Sequence, residues 1–206
     1  MVVIIDYQAG NLTSVERALE ALGVQATVTA EPEVVAQASR VVFPGVGAAG
    51  KAMQTLRERR LDQALLRVFE NAVPILGICL GAQIILDQSD ENDALCLGLL
   101  PGRTRALPRQ TGVKIPHMGW NQVRFIREHP VFNGLPELAE YYFVHSYYPD
   151  PARPAMVLGV TEHGISFPSV VAWKNLVATQ FHPEKSGRVG LKILANFLAW
   201  DGSYAQ

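Results

Sequence analysis

Residues 73–83 read VPILGICLGAQ. An apolar run leads into a cysteine with a glycine two positions to either side, and the helix-forming stretch IILDQ follows. Small residues around a central side chain let a strand turn sharply into a helix and bring that side chain to the end of a sheet. The segment therefore predicts a buried strand, then a tight turn with Cys79 at its apex. The thiol would sit at a helix N-terminus, where unpaired N–H groups and the helix dipole favour a thiolate. The N–H of Leu80 would be placed to stabilise an oxyanion. A plainer reading makes Cys79 a small apolar side chain packed in a core. The heptapeptide GICLGAQ leaves both open.

Outward from this turn, the first half of the chain alternates short apolar runs with amphipathic stretches. VVIID (2–6), VQATVT (24–29), RVVFPG (40–45) and VPILGI (73–78) read as strands. A helix follows the first, with Thr13 and Glu16 at capping-box spacing and Val15, Ala18, Leu19 and Leu22 as its stripe; Gly23 ends it. A second helix is expected from about Lys51 to Asn71. This rhythm predicts a parallel, doubly wound sheet. From Thr104 onward, NQVRFI, YYFVHSYY, MVLGVTEHG and SVVAWKNLVATQF come without long helices between them. They are expected to extend the same sheet, antiparallel or mixed, with hairpins near Pro149–Pro154 and Lys174–Asn175. SGRVGLKILANFLAW (186–200) is a closing helix with Ser186 at its N-cap. The expectation is one α/β domain over residues 1–206, with a mostly parallel central sheet, helices on both faces and an antiparallel extension.

Composition narrows the function. With 206 residues, 49% hydrophobic and 18% charged, the chain can bury a full core. A net charge of -1 argues against nucleic-acid binding. Arg57, Arg59, Arg60 and Arg67 are interleaved with Glu58, Asp62 and Glu70, which reads as a solvated helix face. The opening MVVIID is too short for a signal-peptide core, and no later stretch is long enough to span a membrane. The expected compartment is cytoplasmic, where thiols stay reduced.

In a parallel α/β sheet, ligands gather at the carboxyl ends of strands. PGVG (44–47), GICLG (77–81) and FHPEKS (181–186) stand at such ends. In extended backbone His182 and Glu184 point to the same side, so the carboxylate can hold the imidazole in one tautomer while the ring takes a proton from the thiol. Read blandly, FHPE is a polar turn and PGVG a turn after a strand. Cys96 reads as structural, His129 as exposed, His163 as part of a turn, and His117 and His145 as hydrogen-bonded structural histidines. No pair has metal-ligand spacing, and there is no GxGxxG or Walker loop, so neither metal nor nucleotide cofactor is expected.

LGICLGAQ followed by QFHPE about a hundred residues later resembles the class I, or triad, glutamine amidotransferases. DYQAGNLTSV (6–15), FPGVGAAG (43–50), LGLLPG (97–102), PHMGWN (116–121), YFVHSYY (142–148) and QFHPEKSG (180–187) narrow it to glutaminase subunits serving imidazole glycerol phosphate synthesis. The resemblance implies that Cys79 attacks the glutamine carboxamide, His182 serves as base and then acid, and Glu184 orients His182. It implies oxyanion stabilisation by Leu80, with Val46 or Gly47, and glutamine contacts at Gly47, Gln83, Ser146 and Tyr147. It also implies a heterodimer with a (β/α)8-barrel cyclase that uses the ammonia in histidine biosynthesis. Asn11, Met118, Trp120, Asn121 and Lys185 would lie at that interface. Two positions depart from the family pattern. Gln8 stands where glycine is usual, which predicts an altered backbone in the loop after strand one. Ala48-Ala49 replace a bulkier residue.

Overall fold

The computed structural model describes residues 1–8, 10–109 and 112–204. The four expected strands form as β1 (Val2–Ile5), β2 (Ala26–Thr29), β3 (Arg40–Gly45) and β4 (Ile75–Cys79), parallel and in the order β2-β1-β3-β4. Between and after them run α1 (Leu12–Glu20), α2 (Pro32–Ala36), α3 (Ala49–Glu58), α4 (Leu61–Glu70) and the single-turn α5 (Leu80–Ile84). β1, β4 and, after Arg40, β3 are apolar because both faces of the sheet are covered there, whereas the edge strand β2 (ATVT) buries no residue fully. Val3, Ile5, Val41 and Phe43 pack with α3, α4 and α5, whereas Ile4, Val42, Leu76 and Ile78 pack with α1 and the last helix. Alternate residues of one strand thus serve opposite cores. Each such side chain contributes about 1.5–3 kcal/mol by leaving water.

The remaining strands are β5 (Gln88–Ser89), β6 (Ala94–Leu95), β7 (Gly102–Ala106), β8 (His117–Gln122), β9 (Arg124–Phe125), β10 (Glu140–His145), β11 (Tyr147–Pro151), β12 (Val157–Glu162), β13 (Ser166–Trp173) and β14 (Leu176–Thr179), before α6 (Gly187–Ala199). β14 lies parallel to β4, Leu176 opposite Ile75 and Thr179 opposite Ile78. β13, β12 and β9 continue outward antiparallel. Because β14 and β4 run side by side, His182 emerges at the same sheet end as Cys79.

Several local expectations need correction. The helix expected over 51–71 is two helices, separated where Arg60 takes φ +59. Thr13 lies inside α1, and Asn11 stands at the N-cap position without a capping bond. The hairpin at Lys174–Asn175 forms between β13 and β14, but none forms near Pro149–Pro154. There β11 pairs with β7 and β12 with β13, in different sheets. YYFVHSYY is accordingly divided at Ser146: β10 pairs with β8, and β11 joins β7, β5 and β6. Ser186 stands at the N-cap position of α6 as expected, but its hydroxyl makes no capping bond; it donates to the His182 carbonyl and accepts from the Tyr142 N–H. His129 is buried, because its Nδ1 accepts from the Val131 N–H and its ring packs on Trp200 and Tyr204. Among the described residues, no helix is long and apolar enough to cross a membrane.

Candidate active site

The turn at Cys79 is as sharp as its glycines suggest. Cys79 has φ +54, an uncommon conformation for a residue with a side chain. The chain enters α5 at Leu80 so close to β3 that a Cβ on Gly81 would lie 1.9 Å from the Phe43 carbonyl oxygen. A Cβ on Gly77 would meet the Ala178 Cβ at 2.9 Å and the Gly81 carbonyl oxygen at 3.1 Å. Gly77 thus leaves room for β14 and for the start of α5, and Gly81 leaves room for β3. Their missing side chains let α5 lie against the sheet with Cys79 at the strand end.

The side chains of His182 and Glu184 are both fully buried, and Nδ1 of the ring lies 2.7 Å from Glu184 Oε1. Pro183 between them starts a single 3-10 turn, Pro183–Lys185, that folds the carboxylate back onto the ring. Asn11 Nδ2 donates to the same Oε1 at 2.7 Å and stands 3.4 Å from His182 Nδ1. Asn11, expected at a partner interface, also backs the His182–Glu184 pair with its side chain. His182 Nε2 is buried without a hydrogen-bond partner.

Burial alone would lower the His182 pKa, but the Cys79 thiol and the Glu184 carboxylate outweigh it and hold the ring up at about 9. Burial would raise Glu184, and the hydrogen bond and charge of His182 hold it below its ordinary value instead. A histidine raised on folding binds its proton more tightly in the native state. Its contribution to stability is complete below about 6.5 and is lost as pH rises through about 9. That contribution is on the order of 3 kcal/mol. Glu184 acts at the other end: its contribution is present above its unfolded value of about 4.5 and disappears as pH falls through its lowered native value. Urea unfolding on either side of pH 9 should show wild type losing its advantage over a Glu184→Gln variant. A constant gap would mean that the pair is not charge-coupled.

Cys79 opens on a cavity of about 290 Å³ lined by Val46, Gly47, Leu80, Gln83, Glu91, Pro116, Val144, His145, Ser146 and Tyr147. Every residue that the family resemblance assigned to glutamine or the oxyanion is therefore on this wall. Gly47 has φ +97, so its backbone is exposed to the cavity without a Cβ in the way. Gln83 is buried; its Nε2 donates to the Tyr147 carbonyl at 2.9 Å and to Gln180 Oε1 at 3.0 Å. Gln180 Nε2 in turn donates to Cys79 Sγ at 3.7 Å.

Glu91 and Gln180 were missed in the sequence. Among the described residues Glu91 is the one carboxylate lining the cavity, and it accepts from the Ala49 N–H at 2.6 Å. Gln180 had a signal: it sits two residues before His182 on the strand exit and so faces the same way. The other expected interface residues spread over one face. Met118 and Trp120 are exposed on β8, Lys185 is exposed beside Glu184, and Asn121 is half-buried. Gln8 takes φ +67 itself, the region glycine favours, with its N–H on Asp6 Oδ1.

The family model "Glutamine amidotransferase class-I" matches residues 3–200. Imidazole glycerol phosphate synthase subunit HisH of Dehalococcoides mccartyi is 46% identical, covering 96% of both chains, and that of Desulfovibrio desulfuricans is 49% identical over 96% of this chain and 93% of its own. The chain belongs to the class-I glutamine amidotransferases, in the family of imidazole glycerol phosphate synthase subunit HisH. Among solved structures, the amidotransferase fold recurs in PurLQS from Thermotoga maritima, with a TM-score of 0.77 at 17% identity over 96% of this chain and 97% of that one. It recurs again in a chain described as glutamine amidotransferase, with a TM-score of 0.74 at 19% identity over 97% and 98%. At those identities the likeness is one of fold. The HisH relatives are similar nearly end to end, so the elbow, the cavity wall and the β8 face all lie within the shared length.

Proposed function

We propose that residues 1–206 act as one amidotransferase domain that hydrolyses L-glutamine at Cys79 and passes the ammonia to a cyclase subunit in histidine biosynthesis. The observation that carries this reading is the cavity that ends on Cys79 with the buried His182–Glu184 pair behind it. Cys79 Sγ attacks the carboxamide carbon as the thiolate, and the carbonyl oxygen gains negative charge beside the Leu80 N–H. The protonated His182 ring gives its proton to the leaving nitrogen, so ammonia departs and a glutamyl thioester remains. His182, now neutral, takes a proton from water; the hydroxide adds to the thioester, and glutamate leaves as Sγ is released. Glu184, backed by Asn11, keeps the ring in the tautomer that presents Nε2. Glu91 supplies the negative charge that the substrate's α-ammonium requires, and the N–H groups around Gly47 suit its α-carboxylate.

The exposed Met118 and Trp120 support a docking face on β8, since Met and aromatic residues are enriched in interface cores. HisH relatives are named as subunits of imidazole glycerol phosphate synthase. A (β/α)8-barrel cyclase that makes imidazole glycerol phosphate and aminoimidazole carboxamide ribonucleotide is the partner this reading names. The test is glutamate release from glutamine, by the chain alone and with that cyclase and its nucleotide ligand. Release should rise strongly only with both, and Glu91→Gln should raise KM by about tenfold or more with a smaller change in kcat. Release indifferent to the cyclase would reassign the pathway; no release in any mixture would refute the glutaminase reading.

A further inference from the structure

His145 lines the glutamine cavity, yet the mechanism above does not use it. On β10 it lies directly opposite His117 of β8, and the two rings are hydrogen-bonded, His145 Nε2 to His117 Nδ1, at 2.8 Å. His145 Nδ1 lies 2.8 Å from the Tyr147 carbonyl, and His117 Nε2 lies 3.1 Å from Asn121 Nδ2. Both rings are buried.

These contacts have one consistent proton arrangement. The Tyr147 carbonyl can only accept, so His145 Nδ1 carries a hydrogen. In a neutral ring, His145 Nε2 must then accept, and His117 Nδ1 donates to it. His117 Nε2 is left as an acceptor, to which the amide N–H of Asn121 donates. The other N–H of Asn121 goes to the Glu162 carbonyl at 2.9 Å, and its Oδ1 accepts from the Gln122 N–H at 2.8 Å, so the amide cannot be turned round. Protonating either ring would set two N–H groups against each other. Burial, with each ring's histidine neighbours, lowers His145 to about 3 and His117 to about 4.

The chain does not stop at Tyr147. Its carbonyl also accepts from Gln83 Nε2; Gln83 donates to Gln180, and Gln180 donates to Cys79 Sγ. Asn121 neighbours the exposed Trp120 at the other end. An unbroken hydrogen-bonded path therefore joins the β8 face to the reactive sulfur.

We propose that Asn121, His117, His145 and Gln180 are positioning residues for glutamine hydrolysis: a one-directional hydrogen-bond chain of neutral histidines fixes the Tyr147 carbonyl and Gln83, and through Gln180 holds Cys79 Sγ at the cavity. The proposal rests on Cys79 being the nucleophile. It assigns the two histidines a task on the substrate wall beyond packing. It also gives a contact at β8 a physical route to Cys79, because moving Asn121 removes the donor to His117 Nε2 and with it the bond that holds the outer end of the chain in place.

The test compares two substitutions at His117 in the full chain with its cyclase partner. The His117 ring stacks on Phe143 and His163, with ring centroids 4.7 and 4.0 Å away. His117→Phe keeps that stacking and removes the hydrogen bonds. His117→Asn loses the ring but leaves an N–H near where Nδ1–H stood. Positioning predicts that His117→Phe lowers kcat by about tenfold to a hundredfold with KM changing less, and that His117→Asn restores most of it. The alkylation rate of Cys79 by chloroacetamide should fall and recover in the same order. The reverse order, Phe active and Asn impaired, would mean that the ring only packs and would overturn the proposal. Nitrogen-15 NMR of the unaltered protein at neutral pH provides a readout that needs no variant. Both rings should be neutral Nδ1–H tautomers, and an Nε2–H or doubly protonated ring at either position would refute the chain. A Cys79→Ala control that still hydrolyses glutamine would sink the nucleophile reading without touching the tautomer result.

Discussion

Cys79→Ala should lower glutamine hydrolysis by about 10⁴-fold or more, while synthesis by the same complex supplied with ammonium salts stays close to wild type. In the proposed mechanism the sulfur is the attacking atom, and among the described residues no other side chain on the cavity wall is placed to replace it. Ser146 lines the same cavity, but His182 is paired with Glu184 and lies against Cys79. The substitution is also structurally quiet. Alanine pays the same cost at φ +54 as cysteine does, so the elbow keeps its shape. Cys79→Gly makes the companion measurement: it should be equally inactive yet more stable by about 1 kcal/mol, because glycine adopts that conformation freely. Retained hydrolysis in the alanine variant would remove Cys79 from the mechanism. Loss of ammonia-driven synthesis as well would show that the elbow shapes the docking face, and the reading of two separable activities would fall.

The part of this site visible in the sequence was the part carried by local pattern. Glycines around a cysteine, a proline between histidine and glutamate, and apolar runs at strand length each act over a few residues. What escaped was set by contacts between distant segments. Asn11 reaches Glu184 across 173 positions, and Gln180 reaches Cys79 across 101. Nothing in NLTSV shows that its asparagine backs the His182–Glu184 pair. The division of YYFVHSYY was hidden for a different reason. Aromatic residues on both sides of Ser146 suit a strand equally well, so periodicity could not show that two sheets share the segment. The break at Arg60 is likewise silent, because Arg59-Arg60 is an acceptable helical pair until tertiary packing turns it. His117 and His145 were read correctly as hydrogen-bonded histidines, but that each was the other's partner depends on the β8–β10 register.

Gly81→Ala should be among the most damaging single-methyl changes near the site, costing about 3 kcal/mol or more in urea unfolding and most of the glutaminase activity. The added Cβ would stand 1.9 Å from the Phe43 carbonyl oxygen and 3.1 Å from its carbon. No rotamer can relieve this, because both sides of the clash are backbone. Phe43 is held in β3, opposite Gly77 of β4, so the sheet cannot yield without opening its ladder. α5 must retreat instead, taking the Leu80 N–H and Gln83 with it. Gly23→Ala sets the scale. Gly23 has φ +77 with nothing near its absent Cβ, so alanine there meets only backbone strain, worth about 1 kcal/mol. If the two variants unfold at the same urea concentration, close approach of α5 to β3 is not what Gly81 provides. If they separate as expected, the second glycine of GICLG is required by packing rather than by turn conformation. Cys79 itself then bears the positive φ, and the glycines on either side clear the space in which a strained cysteine can be held at the end of the sheet.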